Sequence, residues 1–228
     1  MAAVYKDVLI TPAYKANSHL AVTRIYQTEG SGAEVVSPIE LKMALNAGVD
    51  PDKIVYNGPL KMPADLEFAM RSDVGLINAD SMTEIRHMQE VAERTGKRCN
   101  AGLRINLGMR TETHPHLATA LREHKFGIWM GDAITAYREA SKRAGINLVG
   151  IHSHIGSNIV QPEIFREMAA AMFRLVDRIN DATGLKLSKI DVGGGLGFPY
   201  QPESPTMSNE QYASAILSEN LDILERLG

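Results

Sequence analysis

The 228-residue chain sets 24 Lys and Arg against 27 Asp and Glu, a net charge of −3, which provides no basic footprint for nucleic acid or an anionic membrane surface. Hydrophobic residues make up 44% and charged residues 22%, a composition that suits a folded soluble domain and argues against disorder, and no apolar run approaches the roughly 20 residues of a membrane span. The single cysteine, Cys99, excludes an internal disulfide and fits a reducing cytoplasm, and the N-terminus lacks the pattern of a secretory signal.

Along the chain, short β-branched runs alternate with longer stretches of helical periodicity. The first run, Val8–Tyr14, ends at Lys15. The second, Ala33–Val36, contains Glu34 and passes into Ser37-Pro38-Ile39-Glu40, a capping box with proline at the first helical position. Lys53–Tyr56 ends at Asn57. Val74–Ile77 is followed by Asn78, Asp80 and a second capping box, Ser81 to Glu84. Ala101–Ile105 holds Arg104 and leads to Asn106; Leu148–His154 leads to Ser157. After Pro162, residues Ile164, Phe165, Met168, Met172, Leu175 and Ile179 form one apolar stripe of a helix that lies on a sheet. Lys189–Val192 runs into Gly193–Gly195, and a last helix is expected from about Ser208, where Ser208 to Gln211 repeats the capping pattern, to Arg226.

Repeated strand–helix units imply parallel strands joined by right-handed crossovers. They can form an open doubly wound sheet or a closed (β/α)8 TIM-type barrel. Reactive or polar groups stand at seven successive strand ends, which favours the barrel, because its strand ends converge on one mouth, whereas an open sheet gathers its site at one switch point. Seven strands and seven following helices leave the eighth strand missing. The expectation is therefore a single barrel domain over residues 1–228, incomplete as given, with no linker, internal repeat or low-complexity tract.

Several residues have the chemistry of a site. A lysine at the end of an apolar strand, as Lys15 is, has apolar walls around its stem; desolvation there favours the free amine that a Schiff-base lysine needs. Position alone favours the plainer reading, a lysine that reaches to solvent at a strand end. Gly193, Gly194 and Gly195 let backbone N–H groups approach an anion, and they lie after strand seven, where barrel phosphate sites are often found. A dinucleotide fingerprint fits less well, since Pro199 intervenes before any helix. His152 and His154, two apart, share a strand face and suggest a metal site, an imidazole packed on a cofactor ring, or a core histidine. His114 and His116 form a second pair in a loop-like stretch. Neither pair has Cys or acidic ligands at the usual spacing. Glu34 and Arg104 are charged strand-end groups that can steer a proton and order an anion, or form a salt bridge across the mouth. Cys99 has no activating neighbour and reads as structural.

Taken in order, Tyr14-Lys15-Ala16-Asn17-Ser18-His19-Leu20-Ala21, Gly32-Ala33-Glu34-Val35-Val36-Ser37 and Lys53-Ile54-Val55-Tyr56-Asn57-Gly58 resemble the decarboxylase family that includes diaminopimelate, ornithine and biosynthetic arginine decarboxylases. Thr113-His114-Pro115, Lys125-Phe126-Gly127-Ile128, His154-Ile155-Gly156-Ser157 and the stretch from Asp191 to Leu196 continue the resemblance, and the last two are its most specific parts. The resemblance implies an alanine-racemase-like barrel that binds pyridoxal 5'-phosphate, with Lys15 as the Schiff-base lysine and His154 stacked on the pyridine ring. Ser157 and Gly193–Gly195 would hold the phosphate, Glu34 and Arg104 would line the cofactor site, and no metal is needed. It also implies a cytoplasmic enzyme acting on a small amino acid and homodimeric at full length. A β-rich second domain and a Glu-Pro-Gly-Arg segment, which this chain lacks, would complete the site. The stretch His154 to Ile159 resembles the diaminopimelate branch most, so meso-diaminopimelate is the expected substrate and lysine the product. Departures are Pro12 where the family has an aromatic residue, Glu34 where aspartate is common, and Tyr26 where an aliphatic residue is usual. Three other readings remain: a single-domain barrel that binds the cofactor without catalysis, an ornithine- or arginine-type decarboxylase, and a metal-dependent hydrolase using the histidine pairs.

Overall fold

The computed structural model describes residues 5–109 and 126–227. Its strands are β1 (Ala33–Val35), β2 (Ile54–Tyr56), β3 (Leu76–Ala79), β4 (Cys99–Asn106), β5 (Ile128–Trp129), β6 (Ile146–His152) and β7 (Lys189–Asp191). Its helices are α1 (Leu20–Thr28), α2 (Pro38–Ala47), α3 (Pro63–Arg71), α4 (Met82–Thr95), α5 (Ala133–Ala140), α6 (Pro162–Thr183), α7 (Asn209–Leu217) and α8 (Leu221–Leu227). Every strand pairing is parallel, and the sheet order β1-β2-β3-β4-β6-β7 follows the sequence without reversal. A doubly wound sheet reverses its order at a switch point; a sheet that always adds its next strand on the same side curls towards a barrel. The result is a partial (β/α) barrel with helices outside, and the main core lies between sheet and helices, where Leu41, Tyr56, Leu66, Ile77, Met88 and Phe165 are fully buried.

The caps expected from sequence form. Ser37 Oγ accepts from Glu40 N–H, Ser81 Oγ from Glu84 N–H and Ser208 Oγ from Gln211 N–H. At α2 and α4 the returning carboxylate reaches one residue further back than a capping box requires, to Val36 N–H and Asp80 N–H. Both loops are thereby held just where the strand ends meet the mouth.

Four expectations need correction. Residues 8–14 are not a regular strand. They follow β1 through Gly32 N–H to Ile10 O, Glu34 N–H to Pro12 O and Tyr14 N–H to Glu34 O, but only Ala13 and Glu34 form a bridge. The missing rung is the one that residue 12 would donate, and proline has no N–H. The strand expected at 74–77 begins later, because Val74 N–H turns back to Ala69 O and closes the end of α3. A short strand not expected from sequence, β5, pairs with the end of β4. The last helix is broken by a 3-10 turn at Ser218–Asn220.

Between β4 and β6 the register slips, Ala101 pairing with Leu148 and Gly102 with Gly150, so Val149 is left over as a bulge. Tyr137 from α5 fills the gap: its hydroxyl donates to Gly150 O at 2.7 Å and accepts from Leu103 N–H at 3.4 Å. At the two ends of the sheet, residues 5–11 and β7 face each other across a cavity of about 440 Å³ lined also by Phe173, Leu187, Tyr212 and Ile216.

Candidate functional site

The C-terminal ends of the strands gather the polar residues on one mouth. Arg104, His152 and Asp191 form a single register row across β4, β6 and β7, and residues paired in this way share a face of the sheet. That face is the barrel interior, because the Asp191 carboxylate reaches across to the amides of Asn57 after β2 and Asn78 on β3, at 3.3 and 3.0 Å. Asn78 also donates to Asn57 Oδ1 at 2.8 Å. Room for this polar layer comes from Gly102, where any Cβ would overlap Asn78 Oδ1.

Lys15 follows the irregular first segment and is exposed at the mouth. Its charge acts on Glu34 and on His154. Glu34 is largely buried, and burial raises its pKa, opposed by Lys15 and by a hydrogen bond from Asn57. Its Oε2 has no hydrogen-bond partner among the described residues. Burial, and then the cationic neighbours Lys15 and Arg104, lower the pKa of His154 and favour a neutral imidazole. His152, the last residue of β6, is 3% exposed. Burial lowers its pKa to about 4, assisted by Arg104, His154 and Lys61 and opposed by Asp191, and its Nδ1 has no partner among the described residues. It is a buried neutral histidine below the mouth, whereas His154 stands beyond the strand end.

The glycine loop packs on the loop after β6. Gly193 has φ +68° and Gly195 φ +104°; a Cβ on Gly193 would lie 2.5 Å from Ser153 O, and one on Gly195 would overlap Gly156 O. Ile159 N–H donates to Gly195 O and Gly197 N–H to Ile159 O. Gly193 N–H is taken by Asp191 Oδ1 at 2.9 Å. Among the described residues the N–H groups of Gly194 and Gly195 have no partner, Gly194 faces open space, and the exposed Ser157 stands on the neighbouring loop. This is a cradle of unpaired donors of the kind that receives phosphate.

Arg104 takes the salt-bridge arrangement, with Nη1 3.3 Å from Asp80 Oδ1 and the guanidinium 5.1 Å from the Phe126 ring centre. Asp80 also accepts from Gly127 N–H, so the pair holds the chain where it returns towards β5. The sequence reading missed a buried ion pair beside it. Lys61 Nζ lies 2.6 Å from Glu84 Oε1 and donates to Gly58 O and Asn78 O, with the lysine side chain 0% exposed. Burial lowers the Lys61 pKa and raises that of Glu84, each offset by the other. The sequence marks Glu84 only as a cap, and nothing local marks Lys61. Burial pushes the Cys99 thiol up to about 12, in keeping with a structural role. The motif Thr113-His114-Pro115, His116 and Lys125 lie outside the described residues.

The mouth thus offers an exposed primary amine, a neutral imidazole, a buried carboxyl oxygen without a partner, and an open glycine cradle. That donor set fits an aldehyde-bearing, phosphorylated aromatic cofactor. Among the described residues no helix is long and apolar enough to cross a membrane. The family described as pyridoxal-dependent decarboxylase, pyridoxal binding domain, matches residues 1–226. The chain is 40% identical to the diaminopimelate decarboxylase of Methanothermobacter thermautotrophicus over 224 residues, covering 98% of this chain and 51% of that protein. It is 38% identical to the Neisseria meningitidis enzyme of the same name over 195 residues, covering 86% of this chain and 48% of that one. The crystal structure of diaminopimelate decarboxylase from M. jannaschii with L-lysine superposes with a TM-score of 0.89 at 30% identity, over 98% of this chain and 54% of that one. The chain spans about half the length of the curated relatives it matches.

Proposed function

This chain belongs to the pyridoxal-binding domain family of the pyridoxal-dependent decarboxylases, and from that premise we propose that it binds pyridoxal 5'-phosphate at the barrel mouth and forms part of a decarboxylase converting meso-diaminopimelate to lysine. The observation that carries the reading is the convergence of Lys15, His154 and the free N–H groups of Gly194 and Gly195 on one mouth. The substrate assignment is supported by relatives named diaminopimelate decarboxylase and by the L-lysine in the M. jannaschii structure.

When bound, the cofactor supplies an electron sink for the pair left as an α-carboxylate departs as carbon dioxide. The chain's own residues do the rest. Lys15 Nζ would be the amine that holds the group through its aldehyde carbon, the aldehyde oxygen leaving as water. The neutral face of His154 would lie against the group's aromatic ring without adding charge. The N–H groups of Gly194 and Gly195, with Ser157 Oγ, would hold the group's phosphate oxygens. Glu34, whose pKa burial raises, has a buried Oε2 that can hold a proton, and Arg104, already ordered by Asp80, adds positive potential nearby. A further parallel strand laid between residues 5–11 and β7 would close the barrel over the apolar cavity there. A β-rich second domain, homodimerisation and a cytoplasmic location belong to the same reading and rest on the resemblance.

The test is the visible absorption spectrum with pyridoxal phosphate, for the parent and Lys15→Ala. A band in the parent and none in the variant is expected; the same spectrum in both would overturn Lys15 as the attachment point. Substrate choice is read by carbon dioxide release from the complete protein. Faster turnover of ornithine or arginine than of meso-diaminopimelate would overturn that assignment.

A further inference from the structure

We propose that Asp191 is the positioning residue of the anion cradle: anchored on the far wall of the barrel by Asn57 and Asn78, its carboxylate holds Gly193 and so aims the N–H groups of Gly194 and Gly195. The inference rests on the reading of the mouth as a phosphate-binding site.

The Asp191 side chain accepts three hydrogen bonds, from Asn57 Nδ2 and Asn78 Nδ2 on Oδ2 and from Gly193 N–H on Oδ1. Its backbone carbonyl accepts from Ser153 N–H at 3.0 Å. Both ends of the residue are therefore tied, one to β6 and one across the barrel. Gly193 takes a left-handed φ of +68°, and a side chain at this position would meet Ser153 O, so the turn is one that glycine alone fits. Gly193 N–H held by Asp191 at one end and Gly195 O held by Ile159 N–H at the other bracket the peptides between them, so the direction of the free donors depends on the Asp191 anchor. The Gly193 N–H is engaged by this anchor and is not one of the anion's donors.

A carboxylate beneath an anion cradle is electrostatically unfavourable for the anion. Removing its charge while keeping its shape should strengthen phosphate binding if the field is what matters. If geometry matters, the same change should weaken it, because Asp191→Asn turns an amide N–H₂ towards donors that had faced an oxygen, and unpaired buried donors move apart. The sign of the effect separates the two. Asp191→Asn combined with Asn78→Asp reverses the polarity of the contact: the amide introduced at position 191 keeps an oxygen for Gly193 N–H, the carboxylate introduced at position 78 accepts from that amide, and Asn57 turns its amide over so that Nδ2 donates to position 78 and Oδ1 accepts from position 191.

The experiment follows the amide signals of Gly194 and Gly195 by NMR during titration with inorganic phosphate, for the parent, Asp191→Asn and the swapped pair. The expected result is phosphate-dependent shifts in the parent, an apparent affinity about tenfold weaker in Asp191→Asn, and recovery in the swap. Equal or tighter binding in Asp191→Asn would overturn the proposal, and so would a parent that shows no phosphate shifts. Thermal unfolding is measured alongside. A swap that restores melting temperature but not phosphate affinity would reduce Asp191 to a structural brace and also overturn it. Binding of pyridoxal, which lacks the phosphate, is expected to change less than binding of pyridoxal phosphate; equal losses would count against the proposal. The reading of the mouth as a cofactor site fails separately, by the absence of a Lys15-dependent visible band in the parent.

Discussion

Gly195 and Gly194 are neighbours with opposite tolerance for a side chain, and the contrast tests the geometry of the cradle. Gly195 has φ +104° and its Cβ direction is blocked by Gly156 O, while Gly194 has open space in that direction. For Gly195→Ala, the unfavourable backbone conformation costs about 1–3 kcal/mol and forcing a methyl group against backbone about 1–3 kcal/mol more. The sum, about 4 kcal/mol, is a large share of the roughly 5–15 kcal/mol that holds a typical domain together. At about 2–4 °C per kcal/mol for a chain of this size, the melting temperature should fall by about 8–16 °C. Gly194→Ala should stay within about 0.5 kcal/mol of the parent. Thermal unfolding followed by near-ultraviolet circular dichroism reads both. Equal melting temperatures for the two variants would refute the reasoning, since they would mean that the loop after β6 does not constrain the glycine loop.

Lys61→Met should cost about 3–5 kcal/mol, because it leaves Glu84 buried without its partner; adding Glu84→Gln should recover part of the loss, as read by urea unfolding. Tyr137→Phe should cost about 1–3 kcal/mol, because Gly150 O and Leu103 N–H lose their shared hydroxyl at the bulge, and amide exchange at Leu103 should rise. The folded pKa of His152, about 4, lies below the roughly 6.5 of the unfolded chain, so acid protonates the unfolded state first. The stability it contributes is complete above about pH 6.5 and is lost as the pH falls towards 4, about 3 kcal/mol in all. His152→Gln should flatten that slope in urea titrations from pH 7 to 4, and an unchanged slope would assign it to other groups.

How much of this was legible in the chain depended on distance along it. The serine caps at Ser37, Ser81 and Ser208 are contacts over three or four residues, and they formed where the pattern placed them. The apolar stripe of α6 and the strand-end positions of Glu34, Asn57, Arg104 and the glycines follow from periodicity, which is also local. Pro12 was visible as a departure, but its effect, a single bridge in place of a strand, depends on which carbonyl stood opposite. Lys15 stands at the mouth, as its place in the chain implied, while its nearness to Glu34 and His154 depends on which side chains the neighbouring strands turn inward.

The sequence by itself determined the alternation of strand and helix, the caps, and the segments that resemble the pyridoxal-dependent decarboxylases, because each is written in residues close together in the chain. Only the tertiary structure decided the unreversed strand order, the Lys61–Glu84 pair and the anchoring of Asp191 to Asn57 and Asn78 across separations of 134 and 113 residues. Buried charges and amides find partners wherever the fold brings a complementary group, and a partner so far along the chain leaves no periodicity or spacing by which to recognise it.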